Sequence, residues 1–339
     1  MTAPTFGVVH DFRRPLPGIT DAAYYAECLD EIVLAETLGY ATVWLPEHHG
    51  AIDGFLPSPL VMAAAVAART RHIGIGTNAV VAPLHHPLRL AEDVAVADLV
   101  SGGRLTLTLV QGYVDRENEL FGVPARQRPS RLEEAVAICR QVWQTGRTGF
   151  AGRRWTLPDG PFTPVPGRRV PIYVGAFSGP AFDRAARIAD GLLLYGGAGV
   201  TERYARWREA LADAGRTGHV PLVLGATVHV ARDDATAWRE AAPAIAALDH
   251  GFATHQLPAG AAVPPVPGPE TVARDAVLVG SPATVADRIV DLHRQVPFDH
   301  LCLWGRLPGF SHPAAVEAVT AFATEVVPAV TARITGSAT

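Results

Sequence analysis

Short apolar runs alternate along the chain with longer segments whose apolar positions recur every three or four residues. The short runs are typical of buried β-strands, and the longer segments are typical of amphipathic helices. The apolar runs occupy residues 5–12, 41–45, 73–81, 104–110, 171–176, 192–196, 221–231 and 300–304. Because this alternation is sustained, it favours a parallel sheet with helical crossovers.

The number of strand–helix units predicts the fold class. Eight units match a closed (β/α)₈ barrel, and no G-x-G-x-x-G turn of a dinucleotide-binding fold follows the first strand. We therefore expect an α/β protein, a (β/α)₈ TIM barrel formed as a single domain over residues 1–339. Two segments rich in proline and glycine, at about 150–170 and 249–276, interrupt the alternation. We expect loop insertions there, the first as a long loop or small hairpin, and loops this long are commonly lids.

Charge and composition narrow the range of partners. The formal net charge is −4 and there is no basic stripe, so nucleic acid is excluded as a partner. No apolar run approaches the roughly 18 residues that span a bilayer, and the N-terminus lacks a signal-peptide pattern. Three cysteines, Cys28, Cys139 and Cys302, are odd in number and far apart, which predicts buried thiols in a reducing compartment. These observations predict a cytoplasmic protein that does not bind membranes.

All 29 basic residues are arginine, because the chain contains no lysine. This composition excludes a lysine Schiff base and a phosphate-binding loop that depends on its lysine. Any bound phosphate must therefore be held by arginine, hydroxyl groups, backbone N–H groups or the N-terminus of a helix.

Polar residues follow several of the predicted strands, and in a (β/α)₈ barrel this rim holds the active site. The residues so placed are Glu47, His48, His49, Asn78, His85, His86, Gln111, Gly112, Tyr113, Ser178 and Gly179. Taken singly, each cluster also fits a structural role: a histidine pair can fill a loop, and Ser178 can cap a helix. Taken together, they favour a functional site.

Four segments in this order resemble the bacterial luciferase-like monooxygenases: "TVWLPEHH", "IGIGTNAVVAPLHHPLRLAEDVAVADLVSGGRL", "PIYVGAFSGPAFDRAARIADG" and "VLVGSPATVADRI". The resemblance extends from about the first strand to the final helix and is weak in the two insertions. It implies a (β/α)₈ barrel that binds reduced FMN or, in a sister branch, a deazaflavin.

The resemblance also implies roles for individual residues. His48 matches the first histidine of the family's E-H-H motif, which lies beside the flavin and acts in chemistry, with Glu47 and His49 completing the motif. Asn78 and Ala79 match a cis peptide bond that lies behind the flavin ring. Ser178, with the amides of Ala176, Phe177 and Gly179, matches the turn that holds the flavin phosphate.

Strand 4 departs from the family pattern. The family ends this strand with G-x-G-R-G or G-x-C-R-G, whose arginine contacts the phosphate, whereas this chain has Thr108, Val110 and Gln111 at those positions. Phe177 also stands where luciferase has a carboxylate. Because an uncharged amide binds phosphate less strongly than a guanidinium, we expect weak binding of a dissociable reduced flavin.

The favoured function is a flavin-dependent monooxygenase that uses reduced FMN and dioxygen to oxygenate a small organic substrate. In this hypothesis a separate flavin reductase supplies the cofactor, His48 is the acid/base, and His10 is an additional candidate for the pocket wall. A deazaflavin-dependent dehydrogenase and a non-catalytic flavin- or ligand-binding barrel remain alternatives. Metal hydrolysis is disfavoured, because the paired histidines lack ligand spacing such as H-x-H. The alanine-rich stretch "VMAAAVAA" and the family resemblance predict a homodimer.

Overall fold

The structure is a computed structural model that describes residues 3–13, 18–258 and 260–336. Eight parallel strands form its barrel: β1 (Thr5–Val9), β2 (Thr42–Leu45), β3 (Gly74–Thr77), β4 (Leu105–Val110), β5 (Ile172–Gly175), β6 (Gly191–Tyr195), β7 (Leu222–Ala226) and β8 (His300–Trp304). Each strand pairs with its neighbours, and β1 pairs with β8, with Phe6 opposite Leu301. The predicted fold class, a closed (β/α)₈ barrel, is therefore confirmed.

Helices surround the barrel: α1 (Asp21–Thr37), α2 (Pro59–Arg69), α3 (Pro87–Val100), α4 (Asp115–Leu120), α5 (Arg128–Thr145), α6 (Gly179–Ile188), α7 (Val200–Asp213), α8 (Asp234–His255), α9 (Pro282–Gln295), α10 (His312–Ala321) and α11 (Val327–Gly336). Local chemistry sets several of their ends. The hydroxyl of Thr20 and the carboxylate of Asp233 accept amide hydrogen bonds at the starts of α1 and α8. Gly146 ends α5 in a left-handed conformation that glycine adopts without steric cost.

Alternate residues of each strand divide the core into two layers. Residues such as Val8, Val43 and Leu301 belong to a large cluster between the sheet and the helices. Their neighbours Val9 and Trp44 belong to a second cluster that also contains alanines from α8. This second cluster fills the barrel interior and forms the floor beneath the rim.

Three predicted strands are shorter than the sequence pattern indicates. Strand 1 was expected over 5–12, but β1 ends at Val9. Strand 3 was expected over 73–81, but β3 ends at Thr77; the peptide bond between Asn78 and Ala79 is cis, as the resemblance implied, and Val80–Val81 pairs separately with β4. Strand 7 was expected over 221–231, but it is interrupted at Thr227. Beyond that point Val228–Val230 leaves the barrel and pairs with Leu278–Gly280, a strand that the sequence analysis did not predict.

The two insertions differ in structure. The first contains an antiparallel hairpin of Phe150–Ala151 and Thr156–Leu157, one of the two forms expected. The predicted start of the second, at residue 249, is wrong, because α8 continues to His255. No proline occurs between Pro243 and Pro258 to stop this helix, and the His255 side chain is anchored by a hydrogen bond to Glu117.

All three cysteines are buried free thiols, as expected. One continuous helix, His312–Gly336, is long and apolar enough to cross a membrane by length and composition alone. Its buried side chains, including Val319, Phe322 and Val326, belong to the large core cluster of the barrel. These contacts account for the apolar character of the helix within the protein.

Candidate functional site

A cavity of about 550 Å³ opens at the carboxyl ends of the strands. Its volume falls within the range of about 300–1,000 Å³ that is usual for small-molecule sites. Apolar side chains dominate the wall, among them Phe55, Leu193, Phe252 and Trp304. The residues predicted from sequence that line it are Glu47, His48, Asn78, Ala79, Val110, Gln111, Gly112, Tyr113, Ala176, Phe177 and Ser178.

Other candidates from the sequence lie outside the lining. His49 and His85 turn toward Glu47, and His86 packs edge-on against Trp155 with ring centroids 4.7 Å apart. Gly179 starts α6 just beyond the lining residue Ser178. The hairpin of the first insertion contributes no residue to the lining, although loops of this length are commonly lids.

His10 does not line the cavity. Its ring is buried beside Gly305 and Phe12, and its Nδ1 lies 3.6 Å from Glu31 Oε2. Burial, followed by the nearby charge of Arg306, lowers the pKa of His10 to about 3. The imidazole is therefore a neutral core group, which corrects the sequence-based interpretation of His10 as part of the pocket wall.

His48 belongs to a buried cluster around Glu117, which comes from the short helix α4. Glu117 Oε1 accepts hydrogen bonds from His48 Nδ1, His255 Nε2 and the His49 backbone N–H, each at 2.8 Å. Burial by itself raises the pKa of Glu117, but the hydrogen bonds from His255 and His48 outweigh it and hold the value at about 2. The carboxylate is therefore ionised and fixes the orientation of His48.

Aromatic rings enclose the His48 imidazole. The Phe55 and Tyr113 rings approach it edge-on, with centroids at 4.5 and 5.7 Å, and the Phe252 ring lies at 6.2 Å. His48 lines the cavity, whereas its partner His255 lines a smaller adjoining cavity of about 210 Å³. The arrangement presents one oriented, partly desolvated imidazole to whatever occupies the larger cavity.

Glu47 organises a second cluster one residue away. Its Oε1 accepts hydrogen bonds from His49 Nε2 at 2.9 Å and His85 Nε2 at 2.8 Å, and its Oε2 accepts one from the Val81 backbone N–H at 2.6 Å. Burial by itself raises the pKa of Glu47, but these hydrogen bonds lower it by a larger amount. The resulting pKa is about 2. This cluster joins the loop after β2 to the segment after β3.

His48, Glu117 and His255 are two imidazoles and one carboxylate whose ligand atoms lie within 4.8 Å of one another. Such a set resembles the donors of some metal sites. Here one nitrogen of each imidazole is directed at the same carboxylate oxygen, so hydrogen bonds hold the three groups together. The geometry therefore fits a proton-handling network.

Asn78 brings a polar group into the middle of the cavity wall. Its Oδ1 accepts a hydrogen bond of 2.7 Å from the Tyr195 hydroxyl, which fixes the amide orientation. Its Nδ2 is buried and has no partner within the described residues. An unsatisfied buried donor is costly, so this amide is suited to a ligand that offers an acceptor.

A further part of the cavity wall contains Ser178, Gln111 and an arginine that the sequence analysis missed. Ser178 precedes α6, and its hydroxyl makes no capping hydrogen bond. Gln111 Oε1 accepts a hydrogen bond of 3.3 Å from Nη1 of Arg184, which also lines the cavity. Donors and positive charge are thus concentrated in this part of the wall.

Sequence reasoning missed Glu117, His255 and Arg184 for the same reason. Each lies on a helix, outside the strand ends that were searched for polar residues. The pair His255 and Glu117 is separated by 138 positions, so no local spacing links them. The one available signal was Glu117 within "VDRENEL", a short acidic segment directly after strand 4.

Comparison with known proteins identifies the family. The profile of the luciferase-like monooxygenases matches residues 5–299. The chain belongs to the luciferase-like monooxygenase family. A flavin-dependent trigonelline monooxygenase, oxygenase component, from Acinetobacter baylyi is 31% identical over 161 residues, 46% of this chain and 44% of that protein. An F420-dependent glucose-6-phosphate dehydrogenase from Kineococcus radiotolerans is 33% identical over 201 residues, 56% of this chain and 59% of that protein.

The chain therefore spans about half the length of the two curated relatives. A crystal structure of a monooxygenase from Streptomyces bottropensis superposes on nearly the whole chain, with a TM-score of 0.83, covering 96% of this chain and 99% of that one. Its sequence is 24% identical, so this likeness supports the fold. The relatives include both monooxygenases and deazaflavin-dependent dehydrogenases.

Proposed function

We propose that the protein is the oxygenase component of a two-component monooxygenase that takes reduced FMN and dioxygen and oxygenates a small organic substrate. The observation that supports this most is an apolar cavity with one oriented imidazole, His48, in its wall. Such a site excludes water and still provides a proton donor and acceptor.

The residues around the cavity fit a flavin. The unpartnered Nδ2 of Asn78 is a donor suited to a ring carbonyl, and Ala79, Val110 and Ala176 offer apolar contact to a flat ring. Ser178, Gln111 and the start of α6 are suited to the phosphate. When bound, reduced flavin supplies the two electrons needed to activate dioxygen.

In this proposal each of the residues around the cavity has a defined task. His48 holds or transfers a proton at its Nε2 atom, because Nδ1 is committed to Glu117. Glu117 is a positioning residue that keeps the tautomer and ring orientation of His48 fixed, as a carboxylate does in other acid/base pairs. Phe55, Phe252 and Trp304 exclude water from the reacting atoms. Glu47 and His49 act structurally, by holding the loop that carries His48.

A deazaflavin-dependent dehydrogenase is the second candidate. The similarity to the Kineococcus radiotolerans dehydrogenase favours it, because that match is as extensive as the match to the trigonelline monooxygenase. A non-catalytic flavin-binding barrel is the third. The same cavity and the same His48 would serve hydride transfer, so the choice depends on which reduced cofactor binds.

Anaerobic titration of the purified chain tests this proposal. Reduced FMN and a reduced deazaflavin are added separately, and binding is followed by absorbance and by the quenching of protein fluorescence. We expect saturable binding of reduced FMN that is tighter than that of the deazaflavin. Tighter binding of the deazaflavin would instead favour the dehydrogenase. Dioxygen is then admitted to the complex with reduced FMN, and reoxidation no different from that of free flavin would favour the non-catalytic barrel.

The proposal implies partners and a location. A separate flavin reductase supplies reduced FMN in transient encounters. The buried free thiols are consistent with the cytoplasm, which subcellular fractionation of the native host would test.

We also propose a homodimer formed through α2 and α3. These adjacent helices expose apolar side chains, with Val61 73% and Val100 52% accessible. Light scattering should give twice the chain mass of 35.9 kDa, and Val61→Asp should shift the equilibrium toward the monomer. A monomeric mass for the unmodified chain at micromolar concentration would contradict this proposal.

A further inference from the structure

Arg184 occupies the part of the cavity wall where the luciferase-like pattern would place a strand-4 arginine. It extends from α6, and its guanidinium donates to Gln111 Oε1, the side chain that stands in place of that arginine. We propose that Arg184 supplies, from a helix, the positive charge for a phosphate that β4 lacks. This inference rests on the proposed flavin function and specifies how the cofactor's phosphate is held.

The position of Arg184 suits this task. Its side chain is 11% exposed and lines the cavity, so a ligand there meets a guanidinium that is largely removed from water. Its Nε donates to Glu133 and its Nη1 to Gln111, and within the described residues Nη2 has no partner. The two existing hydrogen bonds fix the guanidinium plane, and the remaining donors are free to bind an anion.

The surroundings carry an excess of positive charge. The ion pairs here join Arg184 and Arg187 to Glu133, and Arg206 to Asp183. Three guanidinium groups and two carboxylates leave one positive charge. Arg206 also approaches the start of α6, where its Nε lies 3.6 Å from the position of a Cβ on Gly179. The local field therefore favours an anion over a neutral group.

Backbone donors complete the site. Within the described residues, the amide N–H groups of Phe177, Ser178 and Gly179 have no backbone acceptor, and the Ser178 hydroxyl is not used as a cap. These groups lie at the start of the ten-residue helix α6, where the helix dipole also favours negative charge. Arg184 adds the charged contact that the neutral Gln111 cannot provide.

A purely structural role for Arg184 is the competing explanation, since it links α6 to α5 through Glu133. Arg187 makes the same link from the same helix, with Nη2 donating to Glu133 Oε1 at 3.2 Å. However, the Arg187 side chain is 58% exposed, and it is absent from the cavity lining. Arg187→Gln is therefore a matched control that removes a charge and a Glu133 contact without changing the cavity wall.

The experiment compares flavins with and without phosphate. Dissociation constants of reduced FMN and reduced riboflavin are measured anaerobically, by quenching of protein fluorescence, for the unmodified chain, Arg184→Gln and Arg187→Gln. The deazaflavin phosphodiester and its phosphate-free riboside form a parallel pair. We expect Arg184→Gln to weaken the binding of the phosphate-bearing flavin about 10- to 100-fold. The affinity for its phosphate-free partner should remain nearly unchanged. Arg187→Gln should change both by less than about threefold.

A rescue variant tests the idea further. In the double variant Gln111→Arg with Arg184→Gln, the arginine returns to β4, and we expect phosphate-dependent affinity to recover. Equal loss of FMN and riboflavin binding in Arg184→Gln would overturn the role of Arg184 while leaving the proposed flavin function intact. A preference for the deazaflavin pair with the same dependence on Arg184 would overturn the FMN function but support Arg184. Failure of the unmodified chain to bind either phosphate-bearing flavin would overturn both.

Discussion

The clusters around Glu47 and Glu117 contain the same chemical groups and differ in access. Each carboxylate is buried, accepts hydrogen bonds from two imidazoles and one backbone N–H, and has a pKa of about 2. The imidazoles around Glu47 belong to His49 and His85, neither of which lines the large cavity. Around Glu117, His48 faces that cavity.

The comparison shows that residue type and pKa do not by themselves distinguish a structural cluster from a reactive one. Glu47 also binds the backbone of Val81, so its cluster holds two rim loops together. Glu117 uses its hydrogen bonds to orient a side chain that a substrate can reach. The adjacent residues His48 and His49 therefore have different tasks because their side chains point to different carboxylates.

Removal of the His48 imidazole should produce the largest effect. We expect His48→Ala to lower turnover by about 10²–10⁴-fold, the usual contribution of a positioned acid/base, with little change in flavin affinity. His49→Ala should leave turnover within about threefold, since its imidazole contacts Glu47 and not the cavity. Single-turnover rates with excess reduced cofactor measure both. Normal turnover in His48→Ala would remove the main residue from the proposed mechanism.

Substitution of one carboxylate should chiefly lower activity, and substitution of the other should chiefly lower stability. Glu117→Gln should reduce turnover by roughly 10- to 100-fold, less than the loss of His48, because the imidazole remains but its orientation and tautomer are no longer fixed. Glu47→Gln should chiefly reduce the free energy of unfolding, by about 3 kcal/mol, since a buried network loses its charge. Urea unfolding and single-turnover rates measured on both variants make the comparison. The opposite pattern would mean that the roles of the two clusters are reversed.

Acid should weaken both clusters together. Each carboxylate has a folded-state pKa of about 2, below its usual 4.5, so its stabilising contribution is present above pH 4.5 and is lost as pH falls toward 2. We expect losses on the order of 2 kcal/mol for each carboxylate. Urea unfolding at several pH values should show a smaller acid-induced loss in Glu47→Gln and in Glu117→Gln. If the acid-induced loss of unfolding free energy is the same in a variant as in the unmodified chain, the carboxylate replaced in that variant is not the titrating group.

Histidine titration should produce a smaller effect at higher pH. Hydrogen bonding to Glu47 outweighs the effect of burial and raises the pKa of His85. Its contribution to stability is therefore complete below the ordinary histidine value of 6.5 and is lost as pH rises through the raised value. His85→Gln should flatten this alkaline limb of the stability curve.

The barrel could be predicted from sequence because strand and helix periodicity are local signals. The rim positions of His48, Asn78 and Ser178 followed from their places directly after strands. The partners of His48 could not be found in this way, because α4 and the end of α8 reach the site only after the chain has folded. The break at Thr227 was also missed, since Val228–Val230 has the same apolar pattern whether or not it remains in the barrel.

The segment between α8 and Leu278–Gly280 is fixed at both ends. His255 is bound to Glu117 at one end, and Leu278–Gly280 pairs with Val228–Val230 at the other. Residues between them, such as Leu257 and Val263, border the smaller cavity beside His255. Since loop-closure entropy grows by only about 0.6 kcal/mol per doubling of length, this segment can be exchanged for a longer or shorter one at low cost. Evolution or protein engineering can thus change the wall of the smaller cavity, and with it the molecules that this cavity admits, while the barrel stays the same.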